Sequence, residues 1–406
     1  MAAHPKIFVA LPVMAESDWL HACIDSIAKQ IFQNFHIVAC VNQPDSFWND
    51  ENKKHICDDN AKCLDILTKY HQKKITVIDH SSKGKGWIKK SGIGYARKVI
   101  MDFIAAHAED NDIILSLDAD TTFGENYFES VINNFSKFPN AAALSNPYYH
   151  KLTSSEKEDR AILRYEIYMR NYAINLLNIS SPYAFTALGS AISLPVSAYK
   201  AIGGMTPKLS GEDFYFLQKL KKYGSIIIHN KEKIYPAARF SDRVFFGTGP
   251  AMIKGSQGDW SSYPVYHHSL FADIKKTYEC FHILFSNTVE TSLSKFLKEQ
   301  FDETDIWQPL RKNFRNEENF IRACHEKLDG LRILQYLKQT QPDFNMTDEN
   351  CLSENIKKVF SDVLTFSPDL KYRNPDFMKS SVKELDKLRN YLMTVEEILQ
   401  KKIALL

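Results

Sequence analysis

Two carboxylates one residue apart, Asp118 and Asp120, stand directly after the apolar run Ile113-Ile-Leu-Ser-Leu. A short run of this kind reads as a buried parallel strand, and the chain turns polar where that strand should end. On an extended backbone the two side chains leave the same face, roughly 6–7 Å apart. Unpaired, they repel by about 3 kcal/mol at an effective dielectric of about 20. A divalent cation turns that cost into a gain, and carboxylate oxygens suit magnesium or manganese. A bare Asp-x-Asp is also an ordinary solvated turn, so the residues around it decide.

Glu212 and Asp213 follow Gly211 and open a run with Phe214, Leu217, Leu220 and Tyr223 at helical spacing. Acids in a first helical turn are favoured by the macrodipole, and a carboxylate there is also placed to take a proton from a hydroxyl as general base. The segment from Lys83 to Arg97 combines flexible glycines, lysines and the start of a predicted helix, which together favour an anion such as a diphosphate. It is neither a Walker loop nor a dinucleotide fingerprint. Arg97 falls in the first turn of that helix, where a cation opposes the macrodipole and needs another reason to be present. Farther on, Arg239-Phe-Ser-Asp-Arg243 precedes the glycine-flanked Thr248. Arginines suit bidentate phosphate recognition in a loop closing over a diphosphate, or Arg–carboxylate pairs on a surface loop. His229, His267 and His268 are candidates for an additional metal ligand or for structural histidines. Tyr148, Tyr149, Trp260 and Tyr263 suit either sugar stacking or core packing.

The elements that must position these groups alternate in type. Lys6 to Leu11, Phe35 to Val41, Ile75 to Ile78 and Ile113 to Asp118 read as strands, the first stopped by Pro12. Between them, Leu20, Cys23, Ile24, Ile27 and Ile31 follow a Ser17 cap at helical spacing, and Ala96, Val99, Ile100, Phe103 and Ile104 mark a second amphipathic helix. Alternation of this length predicts βαβ units, hence an α/β fold with a mostly parallel sheet flanked by helices. Ligands in such sheets sit beyond the carboxyl ends of the strands, so Pro12, Glu16, Asn42 and Asp118 should converge there. Past about residue 285 strand patterns give way to charged amphipathic helices, which divides the chain into residues 1–285 and a C-terminal helical region, 286–406. There Leu385, Leu388, Leu392, Val395 and Leu399 suit a helix packed on the body.

The chain has 406 residues, 44% of them hydrophobic and 25% charged, with a net charge of +2. That composition suits a folded protein and gives no bulk attraction for nucleic acid. The seven cysteines form no Cys-x-x-Cys pair, so neither a disulfide framework nor a structural zinc site is expected. No signal peptide or membrane-spanning run is legible, and the expected location is cytoplasmic, with peripheral contact at the inner face of a membrane allowed.

The ordered set Pro12-Val-Met-Ala-Glu16, Gly92-Ile-Gly-Tyr-Ala-Arg97, Asp118-Ala-Asp120, Gly203-Gly204-Met and Gly211-Glu212-Asp213 resembles the family-2 nucleotide-sugar glycosyltransferases of the GT-A fold, over about the first 250 residues. The resemblance implies a nucleotide-diphosphate sugar as donor, a glycan or lipid-linked hydroxyl as acceptor, and Mg2+ or Mn2+ as cofactor. It implies that Asp118 contacts ribose or metal, that Asp120 ligates the metal, and that Asp213 is the base, with Glu212 oriented elsewhere. Pro12 and Glu16 match the first nucleotide-binding loop, where Ala15 replaces a frequent Asn. Asn42 stands where many members carry a base-reading Asp, which leaves uridine and guanosine donors both open. Two other readings compete: a nucleotidyltransferase making the sugar nucleotide, and a non-catalytic binding protein on a degenerate transferase fold.

Overall fold

β-Branched and other apolar runs form the strands, and the computed structural model describes residues 5–70, 74–89, 91–208, 211–240, 248–364 and 376–404. By compactness the chain divides into a unit of Met1–Ile162 and Phe185–Asp259 and a unit of Leu163–Ala184 and Trp260–Leu406. Residues 260–285, assigned to the first domain from sequence, pack with the second unit, as does a segment of the long helix that sequence pattern reads as one piece.

In the first unit the order is β1 (Ile7–Val13), α1 (Ser17–Ala28), β2 (Phe35–Asn42), α2 (Lys54–Lys69), β3 (Ile75–His80), α3 (Ile93–His107), β4 (Ile113–Ser116), β5 (Thr122–Phe123), α4 (Tyr127–Lys137) and β6 (Ala141–Ser145). Then come α5 (Glu156–Asn178), whose later turns belong to the second unit, β7 (Ile192–Pro195), α6 (Val196–Ala201), α7 (Glu212–Tyr223), β8 (Ser225–Ile227), β9 (Ile234–Tyr235) and α8 (Thr248–Ser256). Among the described residues the main sheet has seven strands in the order β3-β2-β1-β4-β7-β6-β8. Its strand pairs are parallel except where β7 meets β4 and β6. This is the mostly parallel, helix-flanked α/β sheet of the GT-A fold. The core is continuous along β1, β2 and β4, where Val9, Leu11, Ile37, Val38, Ile114 and Leu115 are fully buried, each worth about 1.5–3 kcal/mol of transfer free energy.

Pro12 does not stop β1, which runs on to Val13. The even-numbered backbone groups of β1 face β4, as the bond from Leu117 N–H to the Ala10 carbonyl shows. In this register the next bond to β4 would run from residue 12 to the Leu117 carbonyl, so the missing N–H of Pro12 ends the β4 pairing at Ser116, while the pairing with β2, which Pro12 N does not face, continues to Val13. Ser17 is the first residue of α1 rather than its cap; its hydroxyl donates to Asp59 (2.5 Å).

Among the described residues of the second unit the regular elements are all helices: the later part of α5, then α9 (His268–Glu279), α10 (Phe281–Ser286), α11 (Ser294–Phe301), α12 (Gln308–Asn313), α13 (Glu317–Lys327), α14 (Gly330–Thr340), α15 (Asp348–Lys358) and α16 (Val382–Ala404). Leu385, Leu388, Leu392, Val395 and Leu399 form the buried stripe of α16. Among the described residues no helix is long and apolar enough to cross a membrane.

Candidate active site

Strand β4 ends at Ser116, and Asp118 follows two residues beyond it. Asp120 lies in a tight turn closed by the Thr121 N–H on the Asp118 carbonyl (3.1 Å), so the extended spacing expected from sequence does not apply. Arginines on either side fix the turn's partners. The Arg97 guanidinium, on the first turns of α3, is buried and donates through Nη2 to Asp118 Oδ1 (2.5 Å), through Nη1 to Ser116 Oγ (2.5 Å) and the Gly189 carbonyl (2.7 Å), and through Nε to Glu212 Oε1 (3.3 Å). That burial explains a cation at a helix start. The Arg97 fork, expected from sequence to meet a diphosphate, is engaged by protein acceptors here and ties the Asp-x-Asp turn to α7.

Gly189 is required by that approach. A Cβ there would lie 2.2 Å from Arg97 Nη2, closer than any real contact. At α7, Gly211 has φ +70°, a left-handed conformation glycine adopts without cost. The turn it makes delivers Glu212 and Asp213 to the helix start. Glu212 is buried against Arg97, whereas Asp213 is partly exposed and accepts from its neighbour's amide, Phe214 N–H (2.8 Å). Burial, then the Glu212 charge, push the Asp213 carboxyl up to about 7, with Arg97 and the Phe214 amide opposing and Asp118 adding to the rise.

A second arginine closes the other side. Antiparallel pairing of β5 with β9 (Thr122 opposite Tyr235) brings the chain after β9 back to the turn before β5. Arg239 thereby donates through Nη2 to Glu16 (2.6 and 2.8 Å) and to Asp120 Oδ2 (2.7 Å), with its guanidinium 5.2 Å over the Trp19 ring. Sequence reasoning named this loop but placed its weight on Arg243, which lies outside the described residues. The signal available for Arg239 was its proximity to β9, legible only once β5 and β9 were known to pair.

Glu16 is carried by a loop that α2 holds: Asn60 Oδ1 accepts the Ala15 N–H (2.8 Å), and Asn60 Nδ2 donates to Gln43 Oε1 (2.7 Å). Ala15 has φ 53°, so the chain carries alanine in a conformation that Asn or Gly adopts more readily. Asn60 was not legible as a site residue, since nothing local to α2 marks it. Asn42, expected to read a base, is buried with its side chain engaged internally, donating to the Val13 carbonyl (3.0 Å) and accepting from the Trp87 indole (3.3 Å). Pro12 is likewise buried within β1. Ahead of α3, the part of the Lys83–Arg97 segment around Lys85 and Trp87 lies back on β3, with Lys85 on Asp79 (3.0 Å) and Trp87 stacked on His80 (4.1 Å).

The acids share one electrostatic neighbourhood. Burial first, then Asp120, Asp118 and Glu16 together, push the Cys23 thiol far up, and Asp118 acts on Asp213. Glu16, Asp118, Asp120, Glu212 and Asp213 outnumber Arg97 and Arg239 among the described residues, so the site has room for further positive charge. Its donors are hard oxygens, which fit a divalent ion held by one or two carboxylates plus the oxygens of a bound phosphate. Glu16 is held by Arg239 rather than gathered with Asp118 and Asp120 into a ready-made cage. His229 follows β8, and His267 and His268 belong to the second unit.

A GT-A sheet whose strand ends carry an Asp-x-Asp turn and a helix opening on Glu-Asp defines the nucleotide-sugar glycosyltransferase class. The model of glycosyl transferase family 2 matches residues 8–190, and that of glycosyl transferase family group 2 matches residues 113–298. Together the two models span residues 8–298, and over that range the chain belongs to the family-2 glycosyltransferases. No curated protein matches it in sequence. Among solved structures it resembles TarS residues 1–349 of S. aureus in complex with UDP-GlcNAc, at 13% identity and a TM-score of 0.42, covering 84% of this chain and 91% of that one. It also resembles the mannosyltransferase PcManGT of Pyrobaculum calidifontis in complex with GDP-Man and Mn2+, at 11% identity and a TM-score of 0.36, covering 97% and 86%. These likenesses are distant, and membership rests on the family models.

Proposed function

We propose that the protein is a metal-dependent, inverting glycosyltransferase that moves a sugar from a nucleotide diphosphate to a hydroxyl of a glycan or lipid-linked acceptor, in glycan or glycoconjugate synthesis. Asp118 and Asp120 hold the ion, Mg2+ or Mn2+, together with the donor diphosphate. Once bound, the ion supplies Lewis-acid stabilisation of the charge that develops on the leaving diphosphate. Asp213 takes the acceptor hydroxyl proton as that oxygen attacks the anomeric carbon and the bond to the diphosphate breaks on the opposite face. Arg97 holds Asp118 and Glu212 in place and leaves Asp213 as the carboxylate turned outward. On the donor side Pro12, Glu16 and Asn42 shape the nucleotide loop, and Arg243 is the proposed diphosphate contact. The site is proposed to work in the cytoplasm, with acceptors reached peripherally at a membrane surface.

The observation that carries this reading is the pair at the start of α7: Glu212 tied down by Arg97, Asp213 left available with its pKa raised to about 7. A base is most effective when its pKa lies near the working pH. The test is Asp213→Asn, assayed with a panel of uridine and guanosine sugar nucleotides and Mn2+. Donor binding should persist while transfer falls about 100- to 10,000-fold, and product stereochemistry should be inverted. Undiminished transfer removes Asp213 as base; release of pyrophosphate from a nucleoside triphosphate would favour a nucleotidyltransferase instead.

A further inference from the structure

In the second unit, His267, His268 and Glu354 each present one ligand atom, all within 4.8 Å of one another. We propose that these residues form a second metal site, selective for zinc or a similar borderline transition ion, which clips the start of α9 to α15. Glu354 Oε2 lies 3.2 Å from His267 Nε2 and 3.9 Å from His268 Nε2. Tetrahedral zinc with bonds of about 2.0–2.1 Å spaces its ligand atoms roughly 3.3 Å apart, so the Glu354 distances need little change and the widest separation, at most 4.8 Å, closes on binding.

The residues are held for this before any ion arrives. The His267 amide donates to Gln341 Oε1 (3.0 Å), and the His268 amide to Asn355 Oδ1 (2.7 Å), next to Glu354 on α15. The His267 ring lies 4.8 Å from the Phe344 ring, and its Nδ1 is 2.8 Å from Ser269 Oγ. That Nδ1 accepts from the Ser269 amide (3.3 Å); a metal on Nε2 would move the proton to Nδ1 and trade this cap for a bond to the hydroxyl, the outer-shell contact that fixes the tautomer of a ligating histidine. Glu354 is half exposed (47%), which leaves one side open to water as a fourth ligand. Two imidazoles and one carboxylate distinguish this set from the all-oxygen donors at Asp118 and Asp120: imidazole favours zinc, cobalt, nickel or copper, and carboxylates alone favour magnesium or manganese.

Cobalt titration of the metal-stripped full-length protein tests the assignment, because four-coordinate cobalt with nitrogen ligands absorbs strongly in the visible and six-coordinate cobalt on oxygens absorbs weakly. The intact chain should show the intense bands and gain one equivalent of tightly bound zinc, with a rise in Tm that grows with zinc concentration. Asp120→Ala should keep the bands. His268→Ala and Glu354→Gln should each lose them, and Glu354→Gln alters a half-exposed residue, so its fold can be checked by circular dichroism alongside. Absence of the bands in the intact chain, or their survival in both variants, overturns the proposal and leaves the reading of the first unit standing.

Discussion

Asp213 sits where two demands conflict. Its carboxyl is pushed up by burial and by Glu212, so at neutral pH a part of the protein carries it protonated and unable to accept a proton. The expected outcome is a kcat/KM that rises with pH through about 7 and then levels, read from a pH–rate profile, and that limb should vanish in Asp213→Asn. The stability sign is the reverse. A carboxyl whose folded pKa is raised above its unfolded value binds more protons in the folded state, so its contribution is present at low pH and lost as pH rises through about 7. Asp213→Asn should therefore have the higher Tm above pH 7, with the gap closing towards pH 4; a Tm gap independent of pH would contradict the raised pKa. Ala15 poses a simpler case. Its φ of 53° costs about 1–2 kcal/mol in an alanine, so Ala15→Asn should raise stability by up to about 1 kcal/mol in denaturant titration, with donor binding unchanged.

At the scale of elements, the site depends on one arginine reaching from α3 between β4 and α7, with the loop before β7 giving way to it. Gly189→Ala puts a Cβ against Arg97 Nη2 and must move the guanidinium or the loop. Forced overpacking of this kind costs about 1–3 kcal/mol. Transfer should fall together with Tm, and the added space in Gly189→Ala/Arg97→Lys should recover Tm without recovering transfer, because a lysine has no fork to hold Asp118 and Glu212 together. The strands, α1, α3 and α7 were legible in the sequence because each carries its own periodicity. Asp118, Asp120, Glu212 and Asp213 were legible because each stands at the end or start of such an element. What tied them together was not: Arg97 to Glu212 and Arg239 to Glu16 are pairings over more than a hundred residues, and no local pattern encodes which acid a given arginine meets. Pro12 misled for a related reason, since a proline ends pairing only with the strand that its missing N–H faces, and β1 continues on its β2 side.

Over the whole molecule the division into compact units was the least legible feature, because α5 is one unbroken amphipathic pattern in sequence although its turns are shared between the units. The reason its later turns belong with the C-terminal helices is ionic as well as apolar. Arg170 donates to Glu166 (2.5 Å) and to Glu396 of α16 (2.6 Å), and Arg389 of α16 donates to the other oxygen of Glu166 (3.1 Å) and to Asp386. Glu166 and Arg389 are completely buried. A buried pair is a weak source of net stability, but removing one member strands the other's charge, at about 3–5 kcal/mol. Arg389→Met should therefore destabilise the second unit strongly, and the double change Arg389→Met/Glu166→Gln should be clearly less damaging than the sum of the single changes, because the neutral amide that replaces the Glu166 carboxylate has no charge to strand. Chemical denaturation of the full chain, followed with a probe in α16, measures both. Simple additivity of the two changes would mean that Glu166 draws its compensation from Arg170 alone, and that α16 is held by its leucine stripe without help from the buried charges.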